Sequence, residues 1–491
     1  MRAETLAGAV VVVAFGLLVV VLLVLSLPWP LIQDAPVMHY IAWRIGEGDV
    51  PYRDLYDINQ PGVYVLHLAL LRTLGAGDGA WRAFDLAWLA ATAGAVALLA
   101  ARWGAVAAAG AALAFAAYHL AGGAWQAGQR DFLMCVFLVV GALGVVRWLE
   151  RRGAAWSLAG AGLALGAAVG LKPYAMLFAG ALGLVVLVAA ARRGDVGAAA
   201  RSVGAYVAGS VAVPAALATW LALAGGLRAW VDVVFGYAIP VYGHLGRSAP
   251  WLGHRWLGWI PLGLAAVGAL VVAVVTRRAD ARHLVAAVGL AYGVAHYIGQ
   301  SKGSEYHLYP LATFVCVLAF SALTPARAAQ QRARLGVPLA VMLAVALVLL
   351  AAKGLEAADA PYIWDKERRV RILADDLGRS LAPGDTVQVL DIADGGLHAL
   401  LRLGVRQPTR FLYDVFFFHE ADRPVVRAIR AEFVAALEAT PPRFVVLMRG
   451  WPSGDYDRIQ RFPALADLLA RRYDVVVTRE GYRLYAKRPG A

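Results

Sequence analysis

The sequence predicts a polytopic α-helical membrane domain, residues 1–355, followed by a small α/β domain, residues 356–491. Three observations carry this. Of 491 residues 60% are hydrophobic and 16% charged, with a mean hydropathy of +0.62, whereas soluble domains carry about 25% charged residues. Apolar runs of membrane-crossing length recur up to residue 352. From about Asp359 charged residues become frequent and the pattern alternates.

The first run, Leu6 to Leu27, exceeds a signal-peptide core of roughly 7–15 residues and lacks a small-residue cleavage motif. It is expected to be a retained helix, long enough to cross a hydrocarbon core of about 30 Å. Further runs occupy 84–101, 105–121, 131–148, 155–171, 174–191, 203–224, 258–276, 282–299, 308–323 and 336–352. The run Val63–Leu74 is shorter, a length typical of interfacial or buried segments. If it lies along the membrane, the turns "ARW", "RWLERRG", "ARRGDVGAAARS", "TRRADARH" and "TPARAAQQRARLG" all fall on the side of the N-terminus. If it spans, these arginine clusters face outward. The positive-inside rule selects the first arrangement. It gives about eleven spans in the plasma membrane, with a cytoplasmic N-terminus and an extracytoplasmic C-terminal domain.

In that domain "TVQVLDI", "RFLYDV", "RFVVLMR", "YDVVVT" and "YRLYAK" read as strands, and "GLHALLRLG", "EFVAALEA" and "PALADLLARR" as helices between them. The net charge of +13 has a topological explanation in the arginine-rich turns, so no nucleic-acid partner is implied. Cys135 and Cys316 each lie inside an apolar run and form no disulfide or zinc pattern. No ligand spacing argues for a divalent metal or another cofactor.

The polar residues collect on the outward side. Asp34 opens "DAPVMHYIAWRI"; a carboxylate just past a span suits general-base work, or it caps the helix. Asp131, in "GQRDF", is either functional or a cap at the positive end of its helix, with Arg130 beside it as contact or anchor. Lys172 precedes Pro173, and Lys302, Tyr306 and His307 lie in "QSKGSEYHLYP". With Arg53 these cations suit a lipid phosphate, or they snorkel to the interface. His307 also suits proton transfer. Asp85 is an intramembrane acid, functional by default, which pairing with Arg82 would equally explain. The stretch "PYRDLYDINQPG" adds Asp54 and Asp57 as candidate substrate contacts. Its tyrosines, with Tyr40 and Trp43, either stack on sugars or anchor at the interface.

An acid after the first span, "GDVPYRDLYDINQPG", a short apolar helix ending "LRTLG", "WR" entering the next span and "QRDF" opening another together resemble the GT-C superfamily. More narrowly they resemble the bacterial relatives of protein O-mannosyltransferases and lipid A aminoarabinose transferases, glycosyltransferase family 39-like enzymes. "LKP" and "QSKGSEYHLYPL" fit the same branch, and the resemblance covers roughly residues 6–352. It implies many transmembrane helices and two juxtamembrane helices in the first outer loop. It implies an inverting transfer, on the outer face, from a polyprenyl-phosphate-linked sugar to a hydroxyl of an envelope glycan, lipid or protein. Asp34 stands at the expected catalytic position, with Asp131 holding the acceptor or sharing the base role. Ala35 follows Asp34 where the protein-mannosylating enzymes carry a second acid, which weakens the case for a protein acceptor. The competing class is a transporter or flippase for an envelope lipid or glycan precursor. Transporters place ionisable groups near mid-membrane, between inverted repeats, whereas here they gather at span ends on one face.

Overall fold

The computed structural model describes residues 3–150, 154–246, 259–323, 329–450 and 455–490. The chain divides into two compact units. The first comprises Met1–Trp29, Gly79–Leu217 and Gly246–Ala360, the second Pro30–Asp78, Ala218–Leu245 and Pro361–Ala491. Of the arginines in the predicted cytoplasmic turns, Arg151, Arg152 and Arg327 lie outside the described residues.

Every predicted apolar run carries a helix. Among the described residues six segments are long and apolar enough to cross a membrane: Gly8–Ser26, Asp78–Trp103, Arg130–Leu149, Val196–Ala224, Glu305–Leu323 and Pro338–Gly378. Ala105–Ala121, Ala155–Leu171, Ala175–Ala191 and Ile260–Val275 are shorter apolar helices. Their outward faces are aliphatic: Leu184, Val211 and Val274, for example, are exposed, as lipid-facing side chains must be when hydrocarbon is the solvent. The helices Ala155–Leu171 and Val196–Ala224 touch backbone to backbone. A Cβ on Gly162 would lie 2.2 Å from the Tyr206 carbonyl oxygen, and one on Gly209 would lie 2.1 Å from that of Ala159. Small residues at such crossings permit the close approach that binds helices in lipid.

The second unit is built on the first loop and the C-terminal residues. The loop carries two helices, Ala35–Gly46 and Pro61–Thr73, which pack against each other. The sheet contains β1 (Val387–Leu390), β2 (Phe444–Met448), β3 (Tyr473–Thr478) and β4 (Tyr482–Lys487) in the order β1-β2-β4-β3. β1 and β2 are parallel, and β4 is antiparallel to both β2 and β3. The helices Gly396–Leu403 and Pro424–Ala439 fall between β1 and β2, as the parallel crossover requires. β1 and β2 are buried along their whole length, which is why β2 reads as a continuous apolar run, while the one polar residue of β1, Gln388, is hydrogen-bonded internally.

Two details differ from the sequence reading. "RFLYDV" is not a strand: Phe411 makes an isolated bridge with Tyr56, and a short helix, Val415–Phe418, follows. The alternation there reflects two opposite demands. Phe411 and Phe416 enter an aromatic cluster with Tyr56, while the carboxylate of Asp414 turns to Arg458, 2.8 Å away. Ahead of β1 lies an additional helix, Pro361–Gly378, whose buried face is Ile363, Lys366, Val370, Leu373 and Leu377.

Within this unit the first loop is tied firmly to the C-terminal residues. The Tyr56 amide donates to the Arg410 carbonyl at 2.7 Å. The Gln407 amide donates to the Tyr40 hydroxyl at 2.9 Å. Tyr40, Tyr52 and Tyr56 are all buried, so their rings serve the core of this unit and present no open face to a sugar.

Candidate functional site

In the first unit the predicted residues converge on Asp131. The chain reaches it through Gly128, whose φ of +63° suits glycine. A Cβ there would also strike the Trp81 ring at 2.0 Å. The Gly128 amide donates to Asp85 at 3.0 Å. Asp131 then falls in the first turn of the helix Arg130–Leu133 and is fully buried.

Its carboxylate is saturated with partners. Lys172 donates to Oδ2 at 2.8 Å. At Oδ1, His296 Nε2–H donates at 2.6 Å, Gln300 Nε2 at 3.3 Å and His307 Nδ1 at 3.4 Å. Tyr292 flanks the other nitrogen of His296 at 3.2 Å. Lys172 is placed by Pro173: a residue before proline avoids the helical region, and Lys172 is extended, at φ −148° and ψ 117°, in the break between two helices. Its side chain is 13% exposed, so this lysine is paired internally and does not snorkel.

Lys302 lies half-buried in the turn between Ser301, itself left-handed at φ +50°, and Gly303. Burial, reinforced by the nearby Lys172 charge, holds its ammonium down to about 8. Two neighbouring ammonium groups that raise each other's electrostatic cost form a cationic site of the kind an anion prefers. Tyr306 packs its ring against Trp125 and His307, at 5.7 and 4.4 Å. Arg130 is half-buried.

Asp131, His296 and His307 also bring three ligand atoms within 4.8 Å of one another. A carboxylate and two imidazoles form a donor set that transition ions accept. The cation this carboxylate meets, however, is Lys172, and a divalent ion would stand beside a like charge.

Asp85 belongs to a separate buried network. It accepts from Arg82 at 2.6 Å and from His119 at 3.1 Å, and His119 continues to the Tyr309 hydroxyl at 2.8 Å. Every partner is internal, which gives this intramembrane acid a structural account.

In the second unit Asp34 stands at the N-cap position of Ala35–Gly46, yet its side chain makes no capping hydrogen bond. A proline in the first turn already removes one orphan donor. The half-buried carboxylate is therefore not spent on the helix. The stretch from Pro51 to Gly62 is a folded turn. Asp54 accepts from the Val50 amide at 2.9 Å and pairs with Arg53 at 2.8 Å; that arginine holds its carboxyl below the usual range. Asp57 is fully buried and accepts from Tyr64 at 2.6 Å, Ile58 N at 2.8 Å and Asn59 at 2.9 Å. Asp57 braces the turn, while Arg53 and Asp54 face outward.

A histidine pair in the same unit makes stability depend on pH. His39 and His67 are both buried, with their Nδ1 atoms 2.8 Å apart. Burial lowers His39 from 6.5 to about 4. The unfolded chain therefore binds a proton between these values that the folded chain does not. Stability is unaffected above pH 6.5 and falls as pH drops from 6.5 towards 4, by up to about 3 kcal/mol. The melting temperature of the full chain should drop between pH 7.5 and pH 5, and His39→Gln should shrink that drop. An equal drop in the variant would remove His39 as its source.

No family model matches the chain, and no curated protein matches it. Solved structures do. ArnT from Cupriavidus metallidurans bound to undecaprenyl phosphate aligns with a TM-score of 0.63 and 15% identity, covering 98% of both chains. Its apo state aligns at 0.60 and 14%, covering 97% of both. The apo oligosaccharyltransferase of Archaeoglobus fulgidus aligns at 0.50 and 14%, covering 98% of this chain and 74% of that one. The chain shares the fold of ArnT. The GT-C likeness to ArnT extends through the C-terminal residues, beyond the roughly 6–352 covered by the sequence motifs. The two helices of the first loop, which the resemblance implied, are present in the structure.

Proposed function

We propose that this protein is an inverting membrane glycosyltransferase of the plasma membrane. It moves a sugar from a polyprenyl-phosphate donor to a hydroxyl of a cell-envelope glycan, lipid or protein on the outer face. The observation that carries this reading is Asp34: within a GT-C fold, an acid directly after the first span whose carboxylate is not used to cap its helix. The ArnT structure bound to undecaprenyl phosphate supports the lipid class of the donor.

In the proposed reaction Asp34 accepts the proton of the acceptor hydroxyl as its oxygen attacks the anomeric carbon. The bond from that carbon to the phosphate oxygen breaks, and the lipid phosphate leaves with the electron pair. Base catalysis of this kind contributes roughly 10²–10⁴-fold. Lys172 and Lys302 are the proposed phosphate contacts, with Tyr306 and Arg130 lining their surroundings. Arg53 and Asp54 are proposed substrate contacts of the first loop. Asp131 is assigned the orientation of Lys172 and His307, because all its acceptor capacity is directed at buried donors.

Mass spectrometry of envelope glycans and lipids from cells with and without the gene tests this function. The expected result is a sugar-sized mass difference in one envelope component. Identical profiles under conditions where the protein is made would overturn it.

A further inference from the structure

The residue before Asp34 is held in an unusual backbone conformation. Gln33 has φ +66°, a region that side chains with a Cβ rarely occupy and that costs energy unless neighbours enforce it. The Gln33 side chain is itself held: Lys366 Nζ donates to its Oε1 at 2.6 Å. Lys366 comes from the buried face of Pro361–Gly378, more than 300 residues away in sequence, and is 8% exposed. Lysines are seldom buried without a partner that justifies it. Asp394 stands 3.7 Å from the ammonium, and the charges of Asp391 and Asp34 also act on it.

The surroundings are built to hold this lysine. Asp391 accepts the amides of Ile392 and Asp394 at 2.6 and 2.9 Å and those of Gly395 and Gly396 at 3.2 and 2.8 Å. It thereby fixes the loop that carries Asp394. Gln33 and Lys366 line one small cavity together with Pro36, Asp391 and His398. Burial, then Asp391, pushes Asp394 up to about 6, while burial lowers Lys366 against the pull of these acids.

We propose that Lys366 is a positioning residue for Asp34: its bond to Gln33 locks the strained turn that aims the Asp34 carboxylate. The C-terminal region would then be part of the machinery that sets the base, rather than an independent appendage. The inference rests on the base assignment made above for Asp34.

The test uses full-length protein expressed in cells lacking the gene, with the envelope mass difference as the activity and purified protein for folding. Lys366→Met is expected to lower transfer at least tenfold per molecule of folded protein, with a lowered melting temperature because Asp394 loses a partner. Lys366→Arg, which keeps a donor, is expected to stay within threefold of wild type. Glycine accepts φ > 0 without a clamp, so Gln33→Gly added to Lys366→Met is expected to recover activity at least threefold. Deuterium exchange of the full chain is expected to speed up at the amides of residues 33–38 in Lys366→Met and to be unchanged in Pro424–Ala439. Unaltered activity in Lys366→Met, or a double variant no better than the single, would overturn the proposal. If Lys366→Met does not fold, Gln33→Ala replaces it, with the same expected loss, and Gln33→Gly, which needs no clamp, is expected to be at least threefold more active than Gln33→Ala. An inactive Asp34→Asn beside an active Lys366→Met removes only this inference; an active Asp34→Asn removes the base assignment beneath it.

Discussion

Asp34→Asn is expected to abolish sugar transfer, with a loss of at least about 10²-fold, while the folded protein accumulates at the wild-type level. The side chain keeps its shape and loses its basicity. Because Asp34 makes no capping bond to Ala35–Gly46, the substitution removes no hydrogen bond that the helix start depends on. A capping aspartate would cost about 0.5–2 kcal/mol of stability on removal, and that contribution is absent at Asp34. The measurement is the envelope mass difference in cells producing the variant, with protein recovered from membranes as the control. Retained transfer would sink the base assignment.

Asp131→Asn is expected to behave in the opposite way, damaging the fold first. Lys172 is 13% exposed and its ion-pair partner is Asp131. Removing one member of a buried pair leaves an uncompensated charge and costs about 3–5 kcal/mol. The melting temperature of the purified variant should fall by many degrees. Lys172→Met on top of Asp131→Asn should restore much of the loss, since replacing both partners with groups of similar size is far less costly than replacing one. Transfer should remain absent in the double variant if Lys172 meets the lipid phosphate. A stable, fully active Asp131→Asn would refute the view that this carboxylate anchors Lys172.

The helices were legible because hydrophobic length is a strong signal in a membrane chain. The short run Val63–Leu74 stands apart from the spans by the arginines in distant turns, and in the structure it carries the 13-residue helix Pro61–Thr73. Asp34, Lys172 and Lys302 were legible as isolated charges beside apolar runs. His296 was not. It lies inside "AYGVAHYIGQ", where a lone histidine carries no mark, and it meets Asp131 across 165 residues of sequence. Lys366 was invisible for a similar reason: "DKERR" reads as a solvated helix face, and only the fold turns its lysine inward against Gln33. Aromatic positions misled differently. Tyr40, Tyr52 and Tyr56 looked like sugar platforms or interface anchors, yet each is buried in the second unit, since a ring carries the same apolar area wherever it is placed.

The folded turn after the first loop helix has a consequence for how the protein is made. Asp57 and Tyr64 are seven residues apart, as are Tyr52 and Asn59, and Val50 and Asp54 are four apart. Closing such short loops costs little chain entropy and takes well under a microsecond. This stretch can therefore take shape as it emerges, long before Lys366 or Arg410 has been synthesised. It would then wait, already formed, as the template onto which Pro361–Ala491 condenses.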